Sequence, residues 1–387
     1  MLRTFQFRLL PNAAQRAALN HILADCAETY NAALQERREA WKLQRKSITY
    51  RDQQDQITEL RKDERFTRIA CDIQRDPLRR VDRAFKAFFR RCKVGQKPGF
   101  PRFKPLARYD SFTYSLRRFG KRGVKIPNLG EIKARGGRKI TGFAKTCTIK
   151  RCGKRWTASV TCDIGPAPEK HTVSNAVGID VGLTALATLS DGTVIENPRW
   201  TRKHERRIAE ASRALARKQR RSKNRVRACE VLRRAHQRAA NARLNYLHHA
   251  SKWLVEHYDL IAHEDLKIAK MARSASGTVE NPGKNVAQKA GLNRSIMDAA
   301  WGILIFQSAY KAEQAGRYLI AVNPRGTSQI CSGCGEKVPK ELSERRHLCP
   351  HCGLDIDRDH NAARNILALG NSVAGLGPSE SIEATGR

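Results

Sequence analysis

Four cysteines in the C-terminal part of the chain are spaced as metal ligands. They form two Cys-x-x-Cys pairs with 14 residues between the pairs: Cys331 and Cys334, then Cys349 and Cys352. Two short loops of this kind let four thiolates converge tetrahedrally on one Zn²⁺ ion. Four thiolates leave no open position for a substrate, so the spacing predicts one structural zinc. His347 and His351 are alternative ligands, although the pattern favours the four cysteines.

Three acidic residues stand at the ends of predicted elements, where a carboxylate could bind a metal. Asp180 ends the apolar segment 176–180, Glu264 ends the segment 260–264, and Asp359 lies at the head of the last predicted helix. An acid in an apolar strand is costly to bury, which argues for a function. Each acid also has an ordinary explanation, because a carboxylate at a strand end can close a turn and Asp357 or Asp359 can cap a helix.

The elements that would position these acids follow the order of an RNase H–like domain. Hydrophobic periodicity predicts strands at 176–180, 183–190, 193–196, 260–263 and 319–322, one or two helices over 202–257, and helices at 294–315 and 359–369. In that order the first strand, the fourth strand and the last helix bring their acids to one sheet edge. Three carboxylates there repel one another unless cations neutralise them. Two Mg²⁺ ions about 3.5–4 Å apart would do so and would cleave phosphodiester bonds, with Asp180 bridging the ions.

The N-terminal part of the chain is predicted to contain one strand, three helices and then several short strands. The strand lies at 2–9, the helices lie at 12–45, 50–64 and 76–93, and the short strands lie at 111–114, 124–126, 132–133, 146–150 and 156–162. Cys152-Gly153 is the predicted tip of a hairpin. Lys and Arg at alternate strand positions suggest a small β-barrel that touches a nucleic-acid backbone. Residues 164–173 are predicted to be a linker and 371–387 to be disordered.

The net charge restricts the partners. The 387 residues include 74 Lys+Arg and 37 Asp+Glu, which gives a formal net charge of +37. A charge this large requires a polyanion, and nucleic acid is favoured over an anionic membrane surface. No segment resembles a membrane span or a signal peptide, and the 11 cysteines do not form a disulfide pattern, so we expect a reduced, cytoplasmic protein. Six closely spaced cations are expected to contact phosphates: Arg217, Lys218, Arg220, Arg221, Lys223 and Arg225.

Several segments together resemble the TnpB family of transposon-encoded, RNA-guided DNA endonucleases, which are related to type V CRISPR effectors. The main matching segments are Val177–Gly182, Ser222-Lys223-Asn224, Glu264-Asp265-Leu266, Thr327–Cys331 with the second cysteine pair, and Asp357–Ile366. Further matches are Phe7-Arg8, Pro11, Gln15, Tyr30-Asn31 and Gly99–Lys104. The resemblance covers about residues 1–370, and the combination is specific although each motif alone is not.

The resemblance implies a multidomain α+β protein. It implies a β-barrel wedge domain at 1–10 and 105–172 that is interrupted by a helical recognition insert at 11–104. It further implies a RuvC-like nuclease domain of the RNase H fold at 173–325 and 355–370. Between these two parts lies a zinc ribbon at 326–354, which would load the target nucleic acid.

The resemblance also implies roles for individual residues and a set of partners. Asp180, Glu264 and Asp359 would be the catalytic acids and would bind two Mg²⁺ ions, and the four cysteines would bind zinc. A guide RNA from the transposon end and a double-stranded DNA target would be the partners, with cleavage beside a short transposon-associated motif. Gln74 and Tyr50 are candidates for reading that motif. The place of action would be the prokaryotic cytoplasm, at the nucleoid.

Two other functions remain open on the sequence. A guide-free RuvC-type nuclease acting on branched DNA would use the same acids, but it would not need the N-terminal half or a charge of +37. A zinc-ribbon DNA-binding regulator would need no catalytic acids, and the complete Asp/Glu/Asp set argues against it.

Overall fold

The computed structural model describes residues 1–116, 119–120, 122–136, 139–278, 280–341 and 343–375. The chain divides into two compact units, Met1–Pro166 and Ala167–Arg387. In the part of the chain that is described, no helix is both long and apolar enough to cross a membrane. Residues 376–387 of the predicted disordered tail lie outside the described residues, but the prediction is wrong for 371–373, which continue the last helix.

The first unit contains a six-stranded antiparallel sheet. Its strands are β1 (Leu2–Leu9), β2 (Ser111–Ser115), β3 (Gly123–Ile126), β4 (Gly130–Arg135), β5 (Phe143–Cys152) and β6 (Arg155–Asp163), in the order β2-β5-β6-β1-β4-β3. The predicted strands are therefore confirmed, and Gly153 forms the β5–β6 turn with a φ of 62°. The Tyr114 hydroxyl donates to the Lys125 carbonyl and so links the two edge strands. A closed barrel stays a prediction.

Three helices lie between β1 and β2. They are α1 (Ala13–Gln44), α2 (Tyr50–Leu60) and α3 (Cys71–Lys93). Asn12 and Gln15 form a reciprocal capping box that fixes the start of α1. Helix α3 begins five residues before the predicted start, so Pro77 lies inside it. Asp72 secures the additional turn by accepting a hydrogen bond from Arg79. The buried faces of α1 and α3 pack with the sheet in one core.

The second unit contains a mixed five-stranded sheet. Its strands are β7 (Ala176–Asp180), β8 (Ala185–Leu189), β9 (Val194–Glu196), β10 (Leu260–Glu264) and β11 (Tyr318–Val322), in the order β11-β10-β7-β8-β9. The strands β7, β10 and β11 are parallel, whereas β8 pairs antiparallel with both β7 and β9. This is the RNase H–like arrangement that the order of elements predicts, and the α+β class is confirmed.

The helices and hairpin of the second unit follow the same order, except that one predicted helix is divided in two. They are α4 (Trp200–Ala216), α5 (Lys223–His257), the short α6 (Ile268–Met271), α7 (Val286–Ala299), α8 (Trp301–Gln314), the hairpin strands β12 (Arg346–Leu348) and β13 (Asp355–Asp357), and α9 (Arg358–Val373). The single helix predicted at 294–315 is wrong, because Ala300 has a φ of 56° and separates α7 from α8. The indole of Trp301 donates to the carbonyl of Gly182 at 2.9 Å and fixes the start of α8.

Helix α9 lies directly against the sheet. A side chain at Gly178 would collide with the backbone of α9 at Ala363 and Leu367, and one at Gly370 would collide with Ala262 of β10. The two glycines, one on each side of the contact, therefore let the helix and the sheet approach without an intervening layer of side chains. This approach sets the distance between the strand ends and the first turn of α9.

Candidate functional site

Asp180 and Glu264 stand at the same end of neighbouring parallel strands. The register pairs Ile179 of β7 with His263 of β10, so the two acids that follow are side by side. Asp359 lies in the first turn of α9, which packs on β7. The structure thus brings the three sequence-predicted acids to one end of the sheet, where the charges of Glu264 and Asp359 both act on Asp180.

Electrostatic strain in this group is concentrated on Asp180. Burial raises its pKa, and the negative charges of Glu264 and Asp359 raise it further, to about 8. Burial also raises the pKa of Glu264. Carboxyl groups held in this way bind a proton or a metal ion, because either one removes the repulsion.

Thr327 holds the carboxylate of Glu264. Its hydroxyl donates to Glu264 Oε1 at 2.5 Å, and this hydrogen bond lowers the pKa of Glu264 against the effect of burial. Thr327 is 3% exposed and lies just before the first cysteine pair. The neighbouring His263 turns its ring Nδ1 toward the Glu264 backbone carbonyl at 2.9 Å, and burial lowers the pKa of that ring.

Two cations lie beside the carboxylate of Asp359. The Arg358 Nε lies 3.4 Å from Asp359 Oδ1, and Arg345 Nη1 lies 3.9 Å from Oδ2. The N-cap of α9 is Asp357, whose carboxylate accepts from the backbone N–H groups of Asp359 and His360. Of the two capping alternatives, Asp357 is therefore the one observed, and the Asp359 carboxylate is left to face the other acids.

The four cysteines converge as their spacing predicts. Their Sγ atoms all lie within 4.8 Å of one another, and the pairs Cys331–Cys352 and Cys334–Cys349 are each 3.6 Å apart. Tetrahedral Zn²⁺ with bonds of about 2.3 Å requires sulfurs about 3.8 Å apart, so the cluster could hold zinc. Neither His347 nor His351 belongs to this group.

Two asparagines of α9 tie the cysteine ribbon to the helix that carries Asp359. Asn361, fully buried, donates to the Ile330 carbonyl and accepts from the Ser332 N–H at 2.8 and 2.9 Å. One turn later, Asn365 donates to the carbonyls of Thr327 and Ile330 at 2.8 and 2.7 Å. The start of the ribbon is thereby hydrogen-bonded both to α9 and, through Thr327, to Glu264.

The basic stretch at 217–225 consists of a turn at 217–222 and the first three residues of α5. Arg217 caps α4, α5 begins only at Lys223, and Arg221 has a φ of 66°. Five of the six predicted phosphate contacts are exposed, but Arg225 is not, because its Nη1 donates to the carbonyls of Leu215 and Lys218 at 3.1 Å. Sequence reasoning missed this role, since a cation that closes a turn looks like its neighbours.

Other residues that sequence reasoning missed lie around the acids. Thr327, Asn361 and Asn365 fall within segments that carry the family resemblance, but their hydrogen bonds join residues far apart in the sequence. Gln74, a candidate for reading a DNA motif, has an amide that accepts from Arg61 and donates to the carbonyl of Phe66, both at 2.7 Å. Its amide group is thus engaged within the first unit.

Three family models match parts of the chain. Residues 159–275 match OrfB_IS605, described as "Probable transposase"; residues 301–366 match the Cas12f1-like TNB domain; and residues 1–46 match a helix-turn-helix domain, HTH_OrfB_IS605. Over the last range the structure has the strand β1 followed by the single helix α1. The TNB match spans α8, β11, the cysteine ribbon and the first half of α9.

Fold and site together define the class: an α+β protein with an RNase H–like sheet, three acids at one end of it, and a four-cysteine ribbon before the last helix. InsQ of Escherichia coli (strain K12), by name a candidate RNA-guided DNA endonuclease, is 34% identical, with 99% of each chain covered. A candidate RNA-guided DNA endonuclease of Streptomyces pristinaespiralis is 31% identical over 100% of this chain and 94% of that protein. The chain belongs to this family of TnpB-like RNA-guided DNA endonucleases.

A solved structure agrees at the level of the fold. The mini-RNA-guided endonuclease CRISPR-Cas_phi3 superposes with a TM-score of 0.50 at 8% identity, covering 96% of this chain and 92% of that one. At this identity the likeness concerns the arrangement of the elements alone.

Proposed function

We propose that this protein cleaves double-stranded DNA under the direction of a guide RNA, with Asp180, Glu264 and Asp359 as its catalytic acids. The observation that carries the proposal is the grouping of these three acids at one end of an RNase H–like sheet, where burial and like charge raise the pKa of Asp180. Family membership supplies the substrate and the guide. The fold supplies the position of the acids, since β7, β10 and α9 each contribute one.

The acids fit divalent cations by their chemistry. Carboxylate oxygens are the ligands that Mg²⁺ prefers, and the repulsion on Asp180 is relieved when a cation is bound. Among the described residues, only the cysteines have three or more ligand atoms within 4.8 Å of one another. The acids are therefore more widely spaced than the ligands of one closed site. Two bound Mg²⁺ ions would supply a hydroxide-like nucleophile and stabilise the leaving 3′ oxygen.

The protein's own residues prepare this site. Asp180 lies close enough to the other two acids for both charges to act on it, and it would be one of the carboxylates that hold the metal ions. Thr327 holds one oxygen of Glu264, which leaves the other for a metal. Arg358 and Arg345 lie within 4 Å of Asp359 and offset part of the negative charge before an ion enters. Zinc in the ribbon would be structural, because all four ligands are thiolates.

The remaining assignments belong to the same proposal. Residues 1–10 and 105–172 would form the wedge, 11–104 the recognition insert, and the ribbon at 326–354 would load target DNA. Cleavage would occur beside a short transposon-associated motif, in the prokaryotic cytoplasm at the nucleoid. A guide-free nuclease on branched DNA is the second candidate, and it differs in needing no RNA.

The test is a cleavage assay with protein purified together with its RNA. Asp180→Asn should abolish cleavage of a duplex matching that RNA and should retain guided binding, because the phosphate contacts elsewhere are untouched. Asp265→Asn is the matched control: this acid follows Glu264 but is exposed and paired with Lys267, so its loss should leave the rate unchanged. Cleavage by Asp180→Asn at the wild-type rate would exclude the proposed site. Cleavage that survives complete removal of RNA would favour the guide-free nuclease.

A further inference from the structure

Residues 83–109 have a composition that the catalytic proposal does not use. This segment, the second half of α3 and the loop after it, contains nine Lys and Arg, five Phe and no Asp or Glu. Cations without acids repel one another unless a polyanion is near. Phenylalanine is normally buried, so five in so charged a segment call for an explanation.

Four of these phenylalanines form one group at the surface, named here the phenylalanine platform: Phe85, Phe88, Phe89 and Phe100. Phe88 has its ring centroid 5.3 Å from those of Phe89 and Phe100, and Phe85 lies 5.7 Å from Phe100. Phe89 is 60% exposed and Phe100 is 48% exposed. The rings contact one another edge to face, and large parts of Phe89 and Phe100 stay open to solvent.

The loop that carries Phe100 is held in place. The Asn31 side chain accepts from the backbone N–H of Lys104 and donates to its carbonyl, both at 2.9 Å. Arg91 Nη2 donates to the carbonyl of Gly99 at 3.2 Å. Because α1 and α3 each hold one part of the loop, the platform is formed before any partner binds, which lowers the entropic cost of binding.

Exposed cations lie in the same segment as the platform. They are Arg83, Lys86, Arg90, Lys93, Lys97 and Arg102. Lys86 pairs with Asp82 at 2.8 Å, and the next acid along the chain is Asp110. Exposed aromatic rings in a segment rich in exposed cations match single-stranded nucleic acid, whose bases stack on rings while its phosphates contact Lys and Arg.

We propose that the phenylalanine platform binds unpaired nucleotides of the guide RNA. The proposal rests on the proposed function for the existence of that RNA. Single-stranded RNA offers unpaired bases as soon as it meets the protein, whereas a duplex DNA target keeps its bases stacked until it is opened. The platform is exposed in the protein alone and needs no opened DNA. Stacking on phenylalanine reads no base edge, so binding here tolerates any guide sequence.

The experiment measures binding of a 12-nucleotide oligouridylate to the full chain at several salt concentrations. Phe89→Leu/Phe100→Leu keeps apolar bulk but removes two π faces. Each base–ring stack is worth about 5- to 150-fold in affinity, so we expect at least a roughly 10-fold loss that persists on extrapolation to high salt. Phe89→Tyr/Phe100→Tyr should restore binding. Phe143→Ala, which removes an 86% exposed phenylalanine of β5, is the control and should have no effect.

A second variant tests the cations separately. Arg90→Gln/Lys93→Gln should leave the high-salt affinity unchanged and lower the slope of log affinity against log salt by up to about 0.7 per lost contact with a single strand. If the double leucine variant unfolds, Phe89→Leu alone, which changes the most exposed ring of the platform, replaces it.

Three outcomes would overturn the proposal. They are unchanged oligouridylate binding by the leucine variant, an equal loss for a 12-base-pair RNA duplex, and a loss confined to oligothymidylate, which would make the platform a DNA surface. The measurement involves no cleavage, so its failure is distinct from failure of the nuclease proposal.

Discussion

The raised pKa of Asp180 predicts that this acid destabilises the protein as the pH rises. Its ordinary pKa is 3.8, and in the folded protein burial and the charges of Glu264 and Asp359 raise it to about 8. Between these values the folded state holds a proton that the unfolded state has lost, so the free energy of unfolding falls with increasing pH. Above about pH 8 the penalty is complete. Asp180→Asn carries a neutral side chain at every pH, so its free energy of unfolding does not include this loss.

The size of the effect follows from the two pKa values. At about 1.4 kcal/mol per pH unit, the full interval corresponds to an upper limit of about 6 kcal/mol. Water entry and local relaxation at a partly buried site would reduce this, and we expect about 2–3 kcal/mol at pH 8. For a unit of this size each kcal/mol shifts Tm by about 2–4 °C, so Asp180→Asn should melt roughly 4–12 °C higher than wild type at pH 8 and nearly together with it at pH 4.

The assay is calorimetric unfolding of the zinc-loaded protein without added Mg²⁺, at intervals from pH 4 to pH 9. Asp265→Asn is the control, because ion pairing with Lys267 lowers the pKa of that exposed acid and its removal should give no stabilisation that grows with pH. Saturating Mg²⁺ should stabilise wild type at pH 8 and abolish the advantage of the variant. A difference in Tm that is constant with pH, or that favours wild type at pH 8 without Mg²⁺, would refute the reasoning.

Three further predictions concern the ribbon, Thr327 and the basic turn. Cys334→Ser should lower the zinc content, measured by atomic absorption, from about one ion per chain, and cleavage should fall with it because the ribbon is bonded to α9; a full zinc complement with full activity would contradict four-thiolate binding. Thr327→Val should raise the Mg²⁺ concentration needed for half-maximal cleavage, and Thr327→Ser should need about the same concentration as wild type. Equal Mg²⁺ requirements of the Val and Ser variants would show that the hydroxyl has no role. Neutralising Arg217, Lys218, Arg220 and Arg221 to Gln should weaken nucleic-acid binding for every guide and flatten its salt dependence by up to about 0.9 per lost duplex contact, and an unchanged slope would show that the turn is solvated.

The strands and the cysteine cluster of this protein can be predicted from its sequence, whereas hydrogen bonds between residues far apart in the chain cannot. Strands such as β7 and β10 are short apolar runs ended by an acid, and the cysteine pairs specify their cluster through spacing alone. The order of elements then suffices to bring Asp180, Glu264 and Asp359 to one end of the sheet, while their catalytic roles stay a prediction.

The misses have physical causes. Ala300 ends α7 in a left-handed conformation that the sequence does not predict, because alanine rarely adopts it. The indole of the next residue, Trp301, is hydrogen-bonded to the carbonyl of Gly182, more than a hundred residues away. The hydrogen bond from Thr327 to Glu264 joins residues that only the folded sheet brings together. Arg225 carries the same charge as its neighbours, and only the geometry of the turn assigns it to two carbonyls.

The place of α9 at the end of the element order has a consequence for how the protein is made. During synthesis, N-terminal segments generally fold first. The first unit and the strands β7, β10 and β11 precede α9 in the chain, so they can form while the last helix is still inside the ribosome. On the proposed mechanism, a nascent chain could therefore bind RNA before it is able to cleave DNA. A premature stop between the end of the first unit and α9 would release a protein that keeps the proposed RNA-binding platform but lacks the third acid, so such errors of translation would yield inert products rather than unguided nucleases.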